Sequence, residues 1–163
     1  MSLRSQIAAL CLAALAAPVA ARPFTIDDLL AAEEFGQVGF SPDGGRLVFE
    51  RLIGQAAAGP FDQDVATGYR RSRLYGLDLR RGGPALPLLP ERPGEGQVAG
   101  PFSPDGSRLV VIGFSGDRYE AGVLTLATGD VLWLGVTPEL GWLGQTIAWR
   151  NPEELLIAAR PPG

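Results

Sequence analysis

The chain has 163 residues, 46% of them hydrophobic and 20% charged, with a net charge of −4. It contains no His and no Lys, and its single cysteine is Cys11. These absences exclude from this chain a Ser-His-Asp triad, Cys-His catalysis, lysine Schiff bases, a P-loop lysine, His-rich zinc sites and internal disulfides.

Residues 1–21 have the pattern of a cleavable export signal. Arg4 supplies a positive start, residues 7–17 are almost entirely apolar, and small residues surround Ala21. The apolar run is shorter than the ~20 residues that a membrane-spanning helix needs. We therefore expect cleavage after Ala21 and a periplasmic mature protein that does not stay at the membrane. The mature chain would carry 13 Arg against 18 acidic residues, a net charge of −5 that disfavours nucleic acid as a partner.

Residues 22–36 are expected to form a lead-in segment with one short helix. Thr25 is a suitable N-cap, and acidic residues at positions 27 and 28 favour a helix start. Apolar residues at positions 26, 29 and 30 follow helical spacing. The pattern predicts a helix over residues 25–34 that packs on the following domain and is stopped by Gly36.

An internal repeat begins near residue 40. Residues 40–48 read FSPDGGRLV and residues 102–110 read FSPDGSRLV, so eight of nine positions agree at a spacing of 62. A third, more divergent copy, WRNPEELLI, begins at Trp149. Proline followed by Asp-Gly is typical of a tight turn between two strands. The residues expected to build these structural turns are Pro42, Asp43, Gly44, Pro104, Asp105 and Gly106.

A second hairpin is predicted after each of the first two copies. It joins residues 73–79 to 85–89 in one case and residues 121–126 to 131–136 in the other. Four antiparallel strands per repeat make the blade of a β-propeller, and Gly-rich insertions at 54–72 and 90–100 lengthen the first repeat. We therefore expect an all-β fold over residues 37–163: a partial β-propeller of about two four-stranded blades plus the start of a third, at 40, 102 and 149.

The number of predicted blades falls short of the ~4 to 8 that close a propeller. This favours an N-terminal fragment of a larger protein. The alternative is a chain that closes its ring by self-association.

The repeat resembles the propeller of the prolyl oligopeptidase family of serine peptidases and that of TolB-like periplasmic proteins. The lead-in at 21–51, the segments at 72–89 and 100–111, and the run LATGDVLWLGVTPEL at 126–140 are most similar to exported lasso peptide isopeptidases, a branch of that peptidase family. The resemblance covers most of the mature chain.

The resemblance implies a propeller that gates and binds a peptide substrate, followed by an α/β-hydrolase domain with the Ser-Asp-His triad. The implied reaction is hydrolysis of the isopeptide bond that closes the lasso ring. This chain has no Gly-x-Ser-x-Gly elbow and no His, so the hydrolase domain is absent from it and we predict no catalytic residue here. The alternative is a TolB-like binding propeller without enzymatic activity.

No cofactor or metal site is expected. Asp62 and Asp64 lack the Gly and Glu of a calcium loop, and the glycines at 94, 96 and 100 are interpreted as a linker. Residues 113–116 are interpreted as a loop. Trp133 and Trp149 are expected in the core between blades, which leaves Trp142 as the possible peptide contact.

Overall fold

The computed structural model describes residues 22–58, 66–116, 118–140 and 146–160. The predicted export signal, the aspartates at 62 and 64, and Trp142 lie outside these residues. The helical segments are α1 (Ile26–Ala31), a 3-10 turn (Gln55–Ala57) and α2 (Ala66–Tyr69). The strands are β1 (Glu34–Phe40), β2 (Arg46–Leu52), β3 (Ser72–Asp78), β4 (Leu86–Pro87), β5 (Glu95–Phe102), β6 (Arg108–Ser115), β7 (Arg118–Thr125), β8 (Val131–Trp133), β9 (Ile147–Asn151) and β10 (Glu154–Ile157).

The strands form three antiparallel sheets, each built from strands that follow one another in the chain. The first sheet has the order β1-β2-β3-β4, and the second has the order β5-β6-β7-β8. The third sheet consists of β9 and β10. The all-β class predicted from the sequence is therefore confirmed.

The Ser-Pro-Asp-Gly motif forms the turn between the first two strands of each four-stranded sheet. Asp43 Oδ1 accepts hydrogen bonds from Ser41 Oγ at 2.6 Å and from the backbone N–H of Gly45 at 2.9 Å. Gly44 has a φ of 65°, a left-handed conformation that favours glycine. Pro42 is exposed at the start of the turn. The second copy repeats this geometry at Ser103, Pro104, Asp105, Gly106 and Ser107.

The three sheets pack face to face, with the second in the middle. Strand β6 is buried on both faces, because its alternate residues point to opposite neighbours. One face joins a cluster with the first sheet that contains Val48, Leu74, Leu109, Val111, Leu124 and Leu126. The other face joins a cluster that includes Val98, Val110, Ile112, Phe114 and Ile147. Trp149 is half-buried against this second cluster, as predicted, and its indole N–H donates to the carbonyl oxygen of Pro101 at 3.1 Å.

The arginine that follows each Asp-Gly turn connects one sheet to the next. Arg46 Nη1 donates to the carbonyl oxygen of Leu126, the residue that follows β7 of the second sheet, at 3.0 Å. Arg108 Nη1 donates to the carbonyl oxygen of Pro152, in the turn that joins β9 and β10 of the third sheet, also at 3.0 Å. Equivalent repeat positions therefore make equivalent contacts, each directed toward the sheet that follows in the chain.

The lead-in helix is shorter than predicted. It spans Ile26–Ala31, and Thr25 and Asp28 form a capping box at its start. Residues 34–36, predicted as helix end and stop signal, instead belong to β1, where Glu34 and Phe35 pair with the end of β2. The apolar side chains at positions 26 and 29 are exposed. The helix contacts the following chain instead through the backbone carbonyl groups of Leu30 and Ala31, which lie against Gly54. Strand pairing with β2 overrides the local helical pattern here.

Two further sequence interpretations are wrong. The linker predicted at the glycines 94, 96 and 100 is not present, because Gly96 and Gly100 lie in β5, the first strand of the second sheet. Residues 113–116 were interpreted as a loop, yet β6 continues to Ser115 and pairs with Arg118 of β7. In both strands a close contact requires glycine. A Cβ on Gly100 of β5 would lie 2.8 Å from the side chain of Val110, and a Cβ on Gly113 of β6 would lie 2.7 Å from the ring of Trp133.

Candidate functional site

An open groove of about 550 Å³ lies on the side of the second sheet that faces the first. It is located where β5 and β7 begin and β6 ends. The long connection between β2 and β3 and the connection between β4 and β5 both reach the sheets at this end, because antiparallel strands place these ends together. The groove therefore lies among the connections that lengthen the first repeat.

Close contacts attach the β2–β3 connection to the second sheet. A Cβ on Gly96 would overlap the carbonyl oxygen of Tyr69, so the two backbones touch. Arg70 Nη2 donates to the carbonyl oxygen of Gly116 at 2.5 Å. The ring of Tyr69 stacks on Phe114 with centroids 5.0 Å apart. The described end of this connection is thus fixed against the tips of β5 and β6.

Three buried arginines lie where the β2–β3 connection enters β3. Arg70, Arg71 and Arg73 are each less than 10% exposed. Arg71 Nε donates to the carbonyl oxygen of Ile53 at 2.7 Å, and Arg73 Nη1 donates to those of Arg70 and Ser72 at 2.7 and 2.9 Å. Burial lowers the pKa of Arg73. These guanidinium groups bind backbone carbonyl oxygens of the β2–β3 connection and of the start of β3.

Trp133 forms one wall of the groove and lies flat on the second sheet. A Cβ on Gly113 or on Gly122 would approach the indole ring to 2.7 Å, so glycine at both positions permits this contact. The side chain is in contact on one ring face and remains 45% exposed. The prediction that Trp133 belongs to the core between sheets is therefore wrong: its second ring face borders the groove.

The polar side chains of the groove differ in the hydrogen bonds and ion pairs that they make within the protein. Gln97 donates to the carbonyl oxygen of Pro90 at 2.7 Å and accepts from the N–H of Leu74 at 3.2 Å, so it links the two sheets. Glu95 lies 3.7 Å from a guanidinium nitrogen of Arg92. Glu120 Oε1 accepts from the backbone N–H of Gly135 at 2.5 Å. The groove thus combines an aromatic surface, carboxylates and guanidinium groups.

This arrangement is suited to binding. Ser115 and Tyr119 line the groove, but the chain has no His that could act as a general base for a hydroxyl nucleophile. Among the described residues no group of three or more His, Cys, Asp or Glu side chains could hold a metal ion. Sequence reasoning did not single out this groove, because its residues come from several strands and connections.

The predicted turn residues lie at the opposite end of the sheets. Asp43 and Asp105 join strands at the ends where β1 and β5 finish, whereas the groove lies where β5 begins. The Ser103 hydroxyl, followed by bonds from Ser107, lowers the pKa of Asp105 to about 2. The Ser41 hydroxyl and the N–H of Gly45 likewise lower the pKa of Asp43. These carboxylates stabilise turns.

A buried carboxylate between the first two sheets was not predicted. Glu50 is 6% exposed and accepts hydrogen bonds from the N–H groups of Ala99 at 3.1 Å and Gln37 at 3.2 Å. Burial raises its pKa, and these two hydrogen bonds partly oppose the shift. Comparison of the repeat copies could have identified it, since Ile112 stands at the equivalent position of the second copy.

Neither the models of known protein families nor the curated protein sequences match this chain. In the part of the chain that the structure describes, none of the helices has the length and apolar character needed to cross a membrane.

Proposed function

We propose that the three sheets are consecutive blades of a β-propeller. Two four-stranded sheets of the same strand order stack face to face, and equivalent arginines connect each sheet to the next. The outer face of the first sheet supports the same proposal. Leu79 corresponds to Leu126, since each donates its backbone N–H to the residue before the repeat arginine. Leu126 is 9% exposed and Leu79 is 43% exposed, as expected where a further blade would cover Leu79.

We propose that this propeller is the N-terminal portion of an exported serine peptidase of the prolyl oligopeptidase type, most similar to lasso peptide isopeptidases. In this function the propeller binds and gates the peptide, and a hydrolase domain supplies the triad. The observation that carries the proposal is the open groove at the end where the long connections meet. It provides a surface for peptide binding, while the chain has no His that could act as the base of a Ser-Asp-His triad.

The coding DNA beyond Gly163 provides the direct test. A continuation, in frame or after a frameshift, that contains Gly-x-Ser-x-Gly followed by a His supports a peptidase, and unrelated sequence contradicts it. N-terminal sequencing of the mature protein tests export separately. A first residue of Arg22 is expected, and retention of residues 1–21 would count against cleavage after Ala21.

The second candidate is a TolB-like binding propeller that closes its ring by self-association. The exposed apolar residues on the outer face of the first sheet favour this possibility, because a second copy could cover them. Size measurement of the purified chain distinguishes the two candidates. A discrete closed oligomer favours the stand-alone binding protein, whereas the peptidase proposal predicts no such defined ring.

A further inference from the structure

We propose that the groove contains a subsite for an arginine side chain of a bound peptide, formed by the open face of Trp133 and the carboxylate of Glu120. The proposal rests on the proposed function in that the ligand is a peptide. It adds a residue class to that ligand and assigns roles to two side chains of this chain.

The indole ring provides a fixed surface for stacking. Its inner face packs on Gly113 and Gly122, which a Cβ at either position would prevent. Its position follows from the pairing of Trp133 with Gly122 across β7 and β8. A planar guanidinium group can stack on the remaining face, and tryptophan is the aromatic residue that attracts cations most strongly.

Glu120 places a carboxylate next to this surface. It pairs directly with Gly113, over which the ring extends, and such cross-strand neighbours have Cβ positions about 5 Å apart. The hydrogen bond from Gly135 to Oε1 fixes the orientation of the side chain. This leaves the second carboxylate oxygen available for a ligand.

The groove is lined by the guanidinium groups of Arg92 and Arg118 as well as by two carboxylates, and of these carboxylates Glu120 is the better counter-ion for a ligand cation. Glu95 lies in the same groove but already faces Arg92 at 3.7 Å. Among the described residues, no guanidinium group lies within ion-pair distance of Glu120. A ligand cation would therefore gain a carboxylate partner without breaking an existing ion pair. Arginine is favoured over lysine because its planar group can stack on the ring and donate to a carboxylate at the same time.

Binding of two matched small probes to the full chain tests the subsite. N-acetyl-arginine amide carries the guanidinium and no free amino terminus, and N-acetyl-citrulline amide has nearly the same shape without the charge. Equilibrium dialysis at low salt should show saturable binding of the arginine probe and at least about threefold weaker binding of the citrulline probe. Equal affinity for the two probes, or no saturable binding of the arginine probe by folded protein, would overturn the proposal.

Variants then locate the bound probe. Glu120→Gln keeps an acceptor for Gly135 and removes the charge, and Trp133→Leu removes the aromatic face. Each should weaken arginine binding by about threefold to fivefold. Glu139→Gln is the matched control, since it removes a carboxylate that pairs with Arg160 outside the groove. Circular dichroism verifies that each variant is folded.

Equal affinities in Glu120→Gln and the control would contradict the role of Glu120. The two proposals can fail separately. The coding DNA beyond Gly163 tests the peptidase, whereas the difference between arginine and citrulline tests only the subsite.

Discussion

Glu50 and Gly36 of the first sheet occupy positions at which the second sheet has two paired apolar residues. At a spacing of 62 residues they correspond to Ile112 and Val98, which pair directly across β5 and β6. Gly36 leaves room for the carboxylate: a Cβ there would lie 2.5 Å from Glu50 Oε2. The absence of a side chain at position 36 thus makes room for the buried carboxyl group of Glu50.

Gly36→Ala should destabilise the protein by about 1 to 3 kcal/mol, because the added methyl group displaces a buried, hydrogen-bonded carboxylate. Gly39→Ala is the matched control in the same strand. Its Cβ would meet only the ring of Phe102 at an ordinary 3.6 Å, so its stability should change by less than about 0.5 kcal/mol. Urea unfolding measures both. Equal effects of the two substitutions would show that Glu50 does not restrict position 36.

The two Ser-Pro-Asp-Gly turns depend on an ionised aspartate. Asp105 accepts from the Ser103 hydroxyl at 2.6 Å and from the N–H and hydroxyl of Ser107 at 3.1 and 2.9 Å. These bonds favour the charged form and keep its pKa at about 2, below the ordinary 3.8. Its contribution to stability is therefore present above pH 3.8 and is lost as the pH falls toward 2.

Asp105→Asn should lower the free energy of unfolding at neutral pH, because the neutral amide accepts the Ser103 and Ser107 bonds more weakly. The difference from wild type should shrink as the pH falls from 3.8 toward about 2, where wild-type Asp105 also becomes neutral. Urea unfolding across this range measures the difference. Asp43→Asn should show the same sign, and a difference that does not change with pH would contradict the assigned role.

The repeat arginine forms a hydrogen bond between neighbouring sheets of the protein. Arg46 and Arg108 each donate to a carbonyl oxygen of the following sheet. In the third sheet, Glu154 occupies the position of the repeat arginine. Leu155 pairs with Trp149 as Leu109 pairs with Phe102, so the residue before Leu155 is equivalent to Arg108. Glu154 accepts from Asn151 within its own hairpin instead. The arginine contact therefore joins the three described sheets, and the third copy of the repeat has Glu154 in place of the arginine.

Arg108→Met should cost about 1 kcal/mol, since it leaves the Pro152 carbonyl without this donor while keeping much of the side-chain volume. Hydrogen exchange should accelerate in β9 and β10 more than in β2 and β3. Arg150→Met is the control, because Arg150 is exposed and pairs only locally with Glu154. Uniform acceleration across all sheets, or an equal effect of the control, would argue against a specific connection.

The hairpins could be predicted because their determinants are local. Proline and Asp-Gly at fixed positions select a turn, and the apolar residues after it form a strand at both copies. The predicted ends of the helix and strands are wrong where strand pairing outweighs the local sequence pattern. Gly36, predicted to end a helix, lies in β1, and Gly96, predicted in a linker, lies in β5. Strand extent depends on a partner distant in sequence, which composition does not reveal.

The all-β class, the repeat, the positions of the turns and the absence of His and Lys side chains can all be read from the sequence. These follow from residue types and from contacts within a few positions. Three features could be seen only in the tertiary structure. Trp133 packs one ring face on two glycines and leaves the other exposed, Glu50 is buried between sheets, and the groove forms where the connections meet. Each of these depends on the register and stacking of strands far apart in the chain, which local patterns do not specify.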